Sequence, residues 1–438
     1  MHRSAIALVT FALFPALISF GIVPFFGVLD IEGISPWTYA YLAIFYAPII
    51  LATLAFVAIR QRSTAYDMTM GSRLNLYLLA ALSAIYLAVS AYDIVSNQNI
   101  LTLGISGSWK ASTDAGARNS IPGAIIMLLS GAPTFLFCAA LFNDGSWGSK
   151  RLLMLLASLM LGASLACMLL LSSRNSAFIC LVYICVVLAL KALHQLGRMS
   201  LKFPFGRAAT TFVAVVICFA VLMGFSLWIF VDRAIVTYGS IDLALDGFFL
   251  NYKVHPTVAV PSSETGKKIF YALAQLEFYI THSVGYFSDY FNRDYCPAGS
   301  GANSFYGAFR IIDFLFGTDF VQTAVSRMIL PGVYLSLPGF LYLDFCQTGM
   351  VAGWVMGVAT VLTVAGVFRG DPALIFLAAF LLCMFTFAPF YSLPSTGNGF
   401  SLMMFAIGSS MSRILSVKMR PEEPPSDSLF LRSGPSSV

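Results

Sequence analysis

Long apolar runs separated by short polar stretches dominate this chain. About 17–25 consecutive apolar residues let a helix cross a bilayer. Runs of that order occur near 5–27, 38–59, 74–94, 121–142, 152–171, 176–193, 208–231, 345–367, 372–391 and 400–416. The pattern predicts an all-α polytopic integral membrane protein of about ten transmembrane helices, because a helix satisfies its own backbone groups where lipid offers no partner. The first run follows Met1-His2-Arg3, contains Pro15 and Pro24 and lacks a small-residue cleavage site, so it is expected to stay as a span. Residues 1–420 then form one transmembrane domain that includes a large outer loop over 232–344, and the polar Pro- and Ser-rich stretch 421–438 is expected to be a disordered tail.

Within the loop, the apolar pattern changes to that of an amphipathic helix. Gln275, Tyr279, His282, Tyr286, Asp289 and Arg293 recur at steps of four and three and share one helical face, while Leu276, Ile280, Val284, Phe287 and Phe291 point largely away. An aromatic and ionisable stripe suits carbohydrate, with rings covering sugar faces and polar groups taking hydroxyls. The alternative is a helix lying on the membrane with its wet side outward. Pro297-Ala298-Gly299-Ser300-Gly301 reads as a turn, and 329–339, interrupted by Pro331 and Pro338, reads as a re-entrant or broken helix. Asp344 either opens the next span as a helix-start charge or belongs to a site. Gly349, Gly353 and Gly357 fall on one face and predict close helix packing.

Composition agrees with the membrane reading: 58% hydrophobic, 10% charged and a mean hydropathy of +0.83 exclude an ordinary soluble domain. A net charge of +5 could point to nucleic acid, but the basic residues sort by side. Arg60, Arg62, Arg73, Lys150, Arg151, Lys191, Arg198, Lys202, Arg207 and Arg369 fall in connections of one side, whereas the short loops of the other carry only Lys110, Arg118 and Arg174. Cytoplasmic loops are enriched in Lys and Arg, so both termini are expected to be cytoplasmic and no nucleic-acid partner is expected. Cys138, Cys167, Cys180, Cys185, Cys218 and Cys383 lie inside apolar runs as packing residues; Cys296 and Cys346 lie outside, where an oxidising compartment would permit a disulfide. No cysteine or histidine spacing suggests a metal, and no cofactor motif is present.

The candidate chemistry rests on arginine. Arg174 sits in Ser172-Ser173-Arg174-Asn175, a minimal loop between two apolar runs, where a permanently charged group needs a reason such as anion binding. Arg310, Arg293 and Arg233 are further candidates for holding substrate, with Tyr279, Tyr286 and Gln275 for its sugar. Arg118, Arg233 and Arg327 read equally as headgroup anchors. If a sugar left a lipid diphosphate, fixed cations would stabilise the charge growing on that leaving group without a metal. The acceptor hydroxyl would need a base, for which His282, Asp289 and Asp344 are available beside Arg174 as catalytic candidates.

These residues resemble the oligosaccharide repeat-unit polymerases, the O-antigen polymerase-like family. Ser173-Arg174-Asn175 at the head of a span is similar to that family's Ser-Arg motif. Phe278-Tyr279-Ile280-Thr281 leading to Tyr286-Phe287-Ser288-Asp289-Tyr290-Phe291 looks like its Tyr-rich outer segment. Val333-Tyr334 onward to Tyr342-Leu343-Asp344-Phe345 and Gly349 is similar to its closing pattern, with Cys346 where glycine is usual and Leu335 where threonine is common. The resemblance implies a bundle of the lipid-donor glycosyltransferase type in a bacterial inner membrane. It implies polymerisation of undecaprenyl-diphosphate-linked oligosaccharide at the periplasmic face, with a flippase and a chain-length regulator as partners. The rivals are an O-antigen ligase and a transporter or flippase of the lipid-linked unit.

Overall fold

The computed structural model describes residues 2–22, 27–30, 34–58, 66–70, 73–97, 121–142, 147–170, 174–196, 224, 227–252, 254–328, 335–369, 371–412 and 415–419. The protein is an all-α membrane protein. Among the described residues, five helical stretches are long and apolar enough to cross a membrane: Pro36–Ala55, Asn75–Ser96, Ile121–Ala140, Lys150–Leu170 and Leu337–Phe368. Ala12–Ile22, Asn175–Lys191 and Ile375–Phe387 are shorter apolar helices, and Gly397–Met411 completes the bundle. Helices underlie every apolar run read from the sequence except 208–231, most of which lies outside the described residues. The tail 421–438 and the loop carrying Arg118 also lie outside them.

The spans are less regular than hydropathy suggests. The stretch 121–140 breaks at Ser130-Gly131, and Ser401 repairs the break: its hydroxyl accepts from Gly131 N at 2.8 Å and donates to Leu128 O at 2.7 Å. A backbone break at membrane depth needs this kind of protein cover. The eighth run was expected to begin near 345. It begins earlier, as the helix Leu337–Phe345, turns through Cys346–Thr348, and continues as Gly349–Arg369. Asp344 therefore sits at the end of one helix rather than the start of the next, which replaces the helix-dipole reading.

Two of the three glycines pack as their spacing predicts, while Gly349 instead lies against the backbone of the preceding helix, where a Cβ would fall 2.5 Å from Leu341 O. A Cβ on Gly353 would fall 2.2 Å from the Phe45 ring, and one on Gly357 would fall 3.3 Å from the Ile49 backbone, so both glycines seat Gly349–Arg369 on Pro36–Ala58. Trp354 Nε1 adds a bond to Ile44 O at 3.1 Å. Gly353→Leu is expected to cost about 1–3 kcal/mol, the range for overpacking a filled contact. Thermal unfolding in detergent checks this, with Val358→Leu on the exposed face as a control that leaves the midpoint in place.

Contacts sort the connections to two ends. At one end Leu29–Asp30 pairs antiparallel with His255–Pro256. At the other, Tyr66–Met70 pairs with Leu415–Met419, and the Lys191 ammonium bonds Leu141 O. Helix 227–238 runs straight through Asp232, where the sequence suggested that the outer loop begins, so the boundary of that segment is helical. Ile241–Tyr252 and the long helix Glu264–Asn292 follow, then Tyr306–Phe316 and Phe320–Ser326.

Candidate functional site

Glu264–Asn292 is a beam across one end of the bundle. Its N-terminus is capped by Ser263, whose side chain accepts from Gly266 N, and Lys267 bridges to Asp242 at 2.5 Å, fastening it to Ile241–Tyr252. The apolar face read from the sequence is the docking face: Val284 and Phe287 are buried in the main core, and Phe287 meets Tyr41 at 5.2 Å and Tyr342 at 5.6 Å. Polar residues on the same side latch separate parts of the bundle. The Ser19 hydroxyl donates to Ile280 O, and the Ser283 hydroxyl donates to Pro389 O. Ser288 Oγ accepts from Ser35 N at 2.8 Å and from the Thr38 hydroxyl at 3.1 Å.

Glu277 is the least expected of these latches. Its carboxylate accepts from Val28 N at 2.6 Å and Leu29 N at 3.0 Å, and a Cβ on Gly27 would fall 1.7 Å from Oε1. Burial pushes its carboxyl up, against the opposing pull of the Leu29 and Val28 N–H groups. Sequence reading passed over Glu277 because it lies on the apolar face. That placement was the available signal, since a charge facing a core needs partners.

The opposite face carries the predicted stripe, and the structure divides it. Gln275 and His282 are 8% and 5% exposed, and Tyr279 and Tyr286 are half-buried, whereas Asp289 and Arg293 are exposed at the far end. Helices 227–238 and Ile241–Tyr252 cover the inner part, so the wet-sided surface helix does not describe it. Phe230 meets Tyr279 at 5.0 Å, Tyr252 meets Phe278 at 4.4 Å, and His282 lies 4.9 Å from Phe278, 5.6 Å from Tyr279 and 6.1 Å from Tyr286. Gln275 Nε2 donates to the Tyr271 hydroxyl at 3.0 Å. His282 Nδ1 lies 2.7 Å from Phe278 O, which can only accept, so Nδ1 carries the proton and Nε2 is the basic nitrogen of the neutral ring. Burial raises the Tyr286 and Tyr252 hydroxyl pKa values, keeping both as donors. Arg233 is 9% exposed and lies three residues beyond Phe230, on the same side of helix 227–238.

A second group forms around Asp344. It is 3% exposed, and its oxygens accept from Asn303 N at 3.1 Å, Asn303 Nδ2 at 2.9 Å and Ser304 N at 2.7 Å. The predicted turn wraps it: Ala298, Ser300 and Gly301 all have positive φ, and a Cβ on Gly299 would fall 2.6 Å from Asp344 Oδ1. Ser392 Oγ donates to Ser304 O at 2.9 Å, and Asn398 Nδ2 donates to Ser176 O at 3.2 Å. The stretch 392–398 thus links the Asp344 turn to the head of Arg174–Leu196. Tyr306–Phe316, which carries Arg310, abuts the same stretch, with Gly307 against the Phe400 side chain. Arg310 leans over the Tyr306 ring at 5.9 Å. Arg174 is the first residue of its helix; its side chain lies outside the described part of the structure.

Asp344 and Arg310, with the head of the Arg174 helix, therefore gather on one side, and Gln275, Tyr279, His282 and Tyr286 on the other, beneath the helix of Arg233. Asn398, Ser392, Asn303 and Ser304 were not singled out, because their roles depend on partners far away in sequence. Among the described residues no group of three or more His, Cys, Asp or Glu side chains could hold a metal.

Cys296 and Cys346 form a disulfide, resolving the pairing that the sequence left open. It closes a loop over the Asp344 turn. Replacing both with serine is expected to lower stability by about 2–4 kcal/mol, the usual range for a native disulfide. Comparing unfolding midpoints with and without reductant checks this, since reductant should shift the native chain but not the double-serine variant. Comparison with protein-family models, curated proteins and solved structures finds no match for this chain.

Proposed function

We propose that this protein polymerises undecaprenyl-diphosphate-linked oligosaccharide repeat units into a surface polysaccharide (O-antigen, capsule or exopolysaccharide) by glycosyl transfer at the periplasmic face of a bacterial inner membrane. The observation that carries this reading is the buried aromatic cluster in which the helix of Arg233 closes over Tyr279, His282 and Tyr286. A guanidinium stays charged when buried and offers paired donors to phosphate oxygens. The ring faces of Tyr279 and Tyr286 suit a sugar. His282 Nε2 is the kind of base that an acceptor hydroxyl needs. In the proposed step the acceptor oxygen bonds to the anomeric carbon of the growing chain as the bond from that carbon to the diphosphate breaks. The diphosphate leaves with the electron pair, stabilised by arginine, and the hydroxyl proton passes to His282. Asp289, exposed on the same helix, is the alternative base; Asp344, fully engaged by Asn303 and Ser304, serves this reading by shaping the turn.

The disulfide supports an oxidising compartment for this end of the bundle, and with it the cytoplasmic placing of both termini. Apart from Arg174, the candidate charges lie together in the segment 233–344, which disfavours a carrier built on charges held between repeats. Deletion of the gene is the test. Accumulation of single lipid-linked repeats is expected; long lipid-linked polymer stranded in the membrane would replace this reading with a ligase. Purified protein that moves the lipid-linked unit across vesicles without extending it would replace it with a flippase.

A further inference from the structure

We propose that the tip formed by Phe314, Leu315, Phe316 and Phe320 is a membrane wedge that enters the lipid leaflet at this end of the bundle. Leu315 and Phe316 are 65% and 75% exposed, and Phe314 and Phe320 are also exposed, which makes a dense apolar patch. The tip is braced. Gly317 takes a left-handed φ of +65°, which lets the chain reverse between the two short helices. The Asp313 carboxylate accepts from the Thr318 hydroxyl at 2.6 Å, Phe320 N at 3.0 Å and Val321 N at 2.8 Å and so holds the turn, while Asp319 beside Phe320 stays exposed and would stand on its headgroup side. The Phe320 ring rests on Phe309 at 5.7 Å.

What covers this patch follows from its neighbours. A Cβ on Gly301 would lie 3.4 Å from the Phe309 ring and 3.5 Å from the Phe345 ring, so the base of the tip abuts the end of the span Leu337–Phe368. That span exposes Val351, Val355, Val358 and Leu362 along its length, opposite the glycine face packed on Pro36–Ala58, and such a stripe on a membrane span faces lipid. Phe345, itself 36% exposed, and Phe309 therefore join the base of the tip to the end of a membrane span. The occupant is the acyl-chain boundary of the leaflet, where amphipathic segments bury one apolar face. Arg310, one turn before Phe314, would then stand at headgroup depth, where lipid phosphates lie.

The test is a nitroxide at Phe316→Cys, and separately at Leu315→Cys, in the full chain in lipid nanodiscs, with the unsubstituted chain as labelling blank. Both positions are exposed, so the substitutions leave packing intact. Collision with oxygen, which partitions into lipid, is compared with collision with a water-soluble nickel chelate. The expected oxygen-to-nickel ratio is about tenfold above that at the exposed Gln322→Cys on the neighbouring helix. A nickel-dominated signal at both tip positions overturns the proposal in favour of open water. Low collision with both reagents overturns it in favour of a protein partner or a second copy of the chain.

Discussion

Arg233→Ala is expected to cut chain extension by at least about 100-fold, the usual loss when one preorganised donor to a developing negative charge is removed. The size follows from burial. Arg233 is 9% exposed, and a charge held away from water acts through a lower effective dielectric than one at the surface. Arg233→Lys keeps the charge but not the planar fork, so it should recover only part of the rate. His282→Ala is expected to lower the rate as well, because it removes the nitrogen proposed to take the acceptor's proton. Alanine at Arg174, which heads its own helix on the Asp344 side, is expected to leave single repeats unextended for the same electrostatic reason. Extension of lipid-linked repeat units by purified, folded variants measures each effect. Full extension by Arg233→Ala, with an unfolding midpoint equal to that of the parent, would remove the cluster from the reaction.

Asp344→Ala is expected to destabilise the protein by about 4 kcal/mol or more, since each buried donor left unmet costs about 1–3 kcal/mol. Three donors lose their acceptor at once: Asn303 N, Asn303 Nδ2 and Ser304 N. The turn they hold is intrinsically costly, with positive φ at Ala298, Ser300 and Cys346, which non-glycine residues adopt only when their surroundings insist. Asp344→Asn should fall in between. It keeps the shape and one acceptor oxygen, but brings an NH2 group against a backbone donor. Thermal unfolding of the three proteins in detergent measures the order. Because Ser304 O also receives the Ser392 hydroxyl, the alanine variant should additionally speed hydrogen exchange across 296–305 and 392–398. An exchange pattern unchanged in 392–398 would show that the two stretches are not coupled.

Two faces of one helix show what could be read in advance. Val284 and Phe287 repeat with helical period, and the structure buries them as that period requires. Glu277, Ser283 and Ser288 interrupt the same face, and in sequence they read as imperfections of an amphipathic pattern. Each is instead satisfied by backbone or hydroxyl partners far along the chain: Glu277 by Val28 and Leu29, Ser283 by Pro389, Ser288 by Ser35 and Thr38. The stripe opposite was legible as one face, but its division into a covered half and an exposed half was not. That division depends on where helices 227–238 and Ile241–Tyr252 come to rest. The Gly353 and Gly357 contact was legible for the opposite reason, since small residues repeating on one face are a local requirement of close helix approach.

Local chemistry by itself determined that this chain is a helical membrane protein, where most of its apolar helices run, which face of the long helix turns inward, and which residue types could handle an anion and a sugar. Those properties follow from side-chain transfer to lipid and from helical period, and neither depends on distant partners. Only the tertiary structure decided that Cys296 meets Cys346, that Asp344 ends a helix and holds a turn, and that Ser176, Asn398, Ser392 and Ser304 link that turn to the head of the Arg174 helix. Those outcomes are pairings between positions tens to hundreds of residues apart. Each partner is chosen by the requirement that buried polar groups be satisfied, and it exists only once the helices have packed.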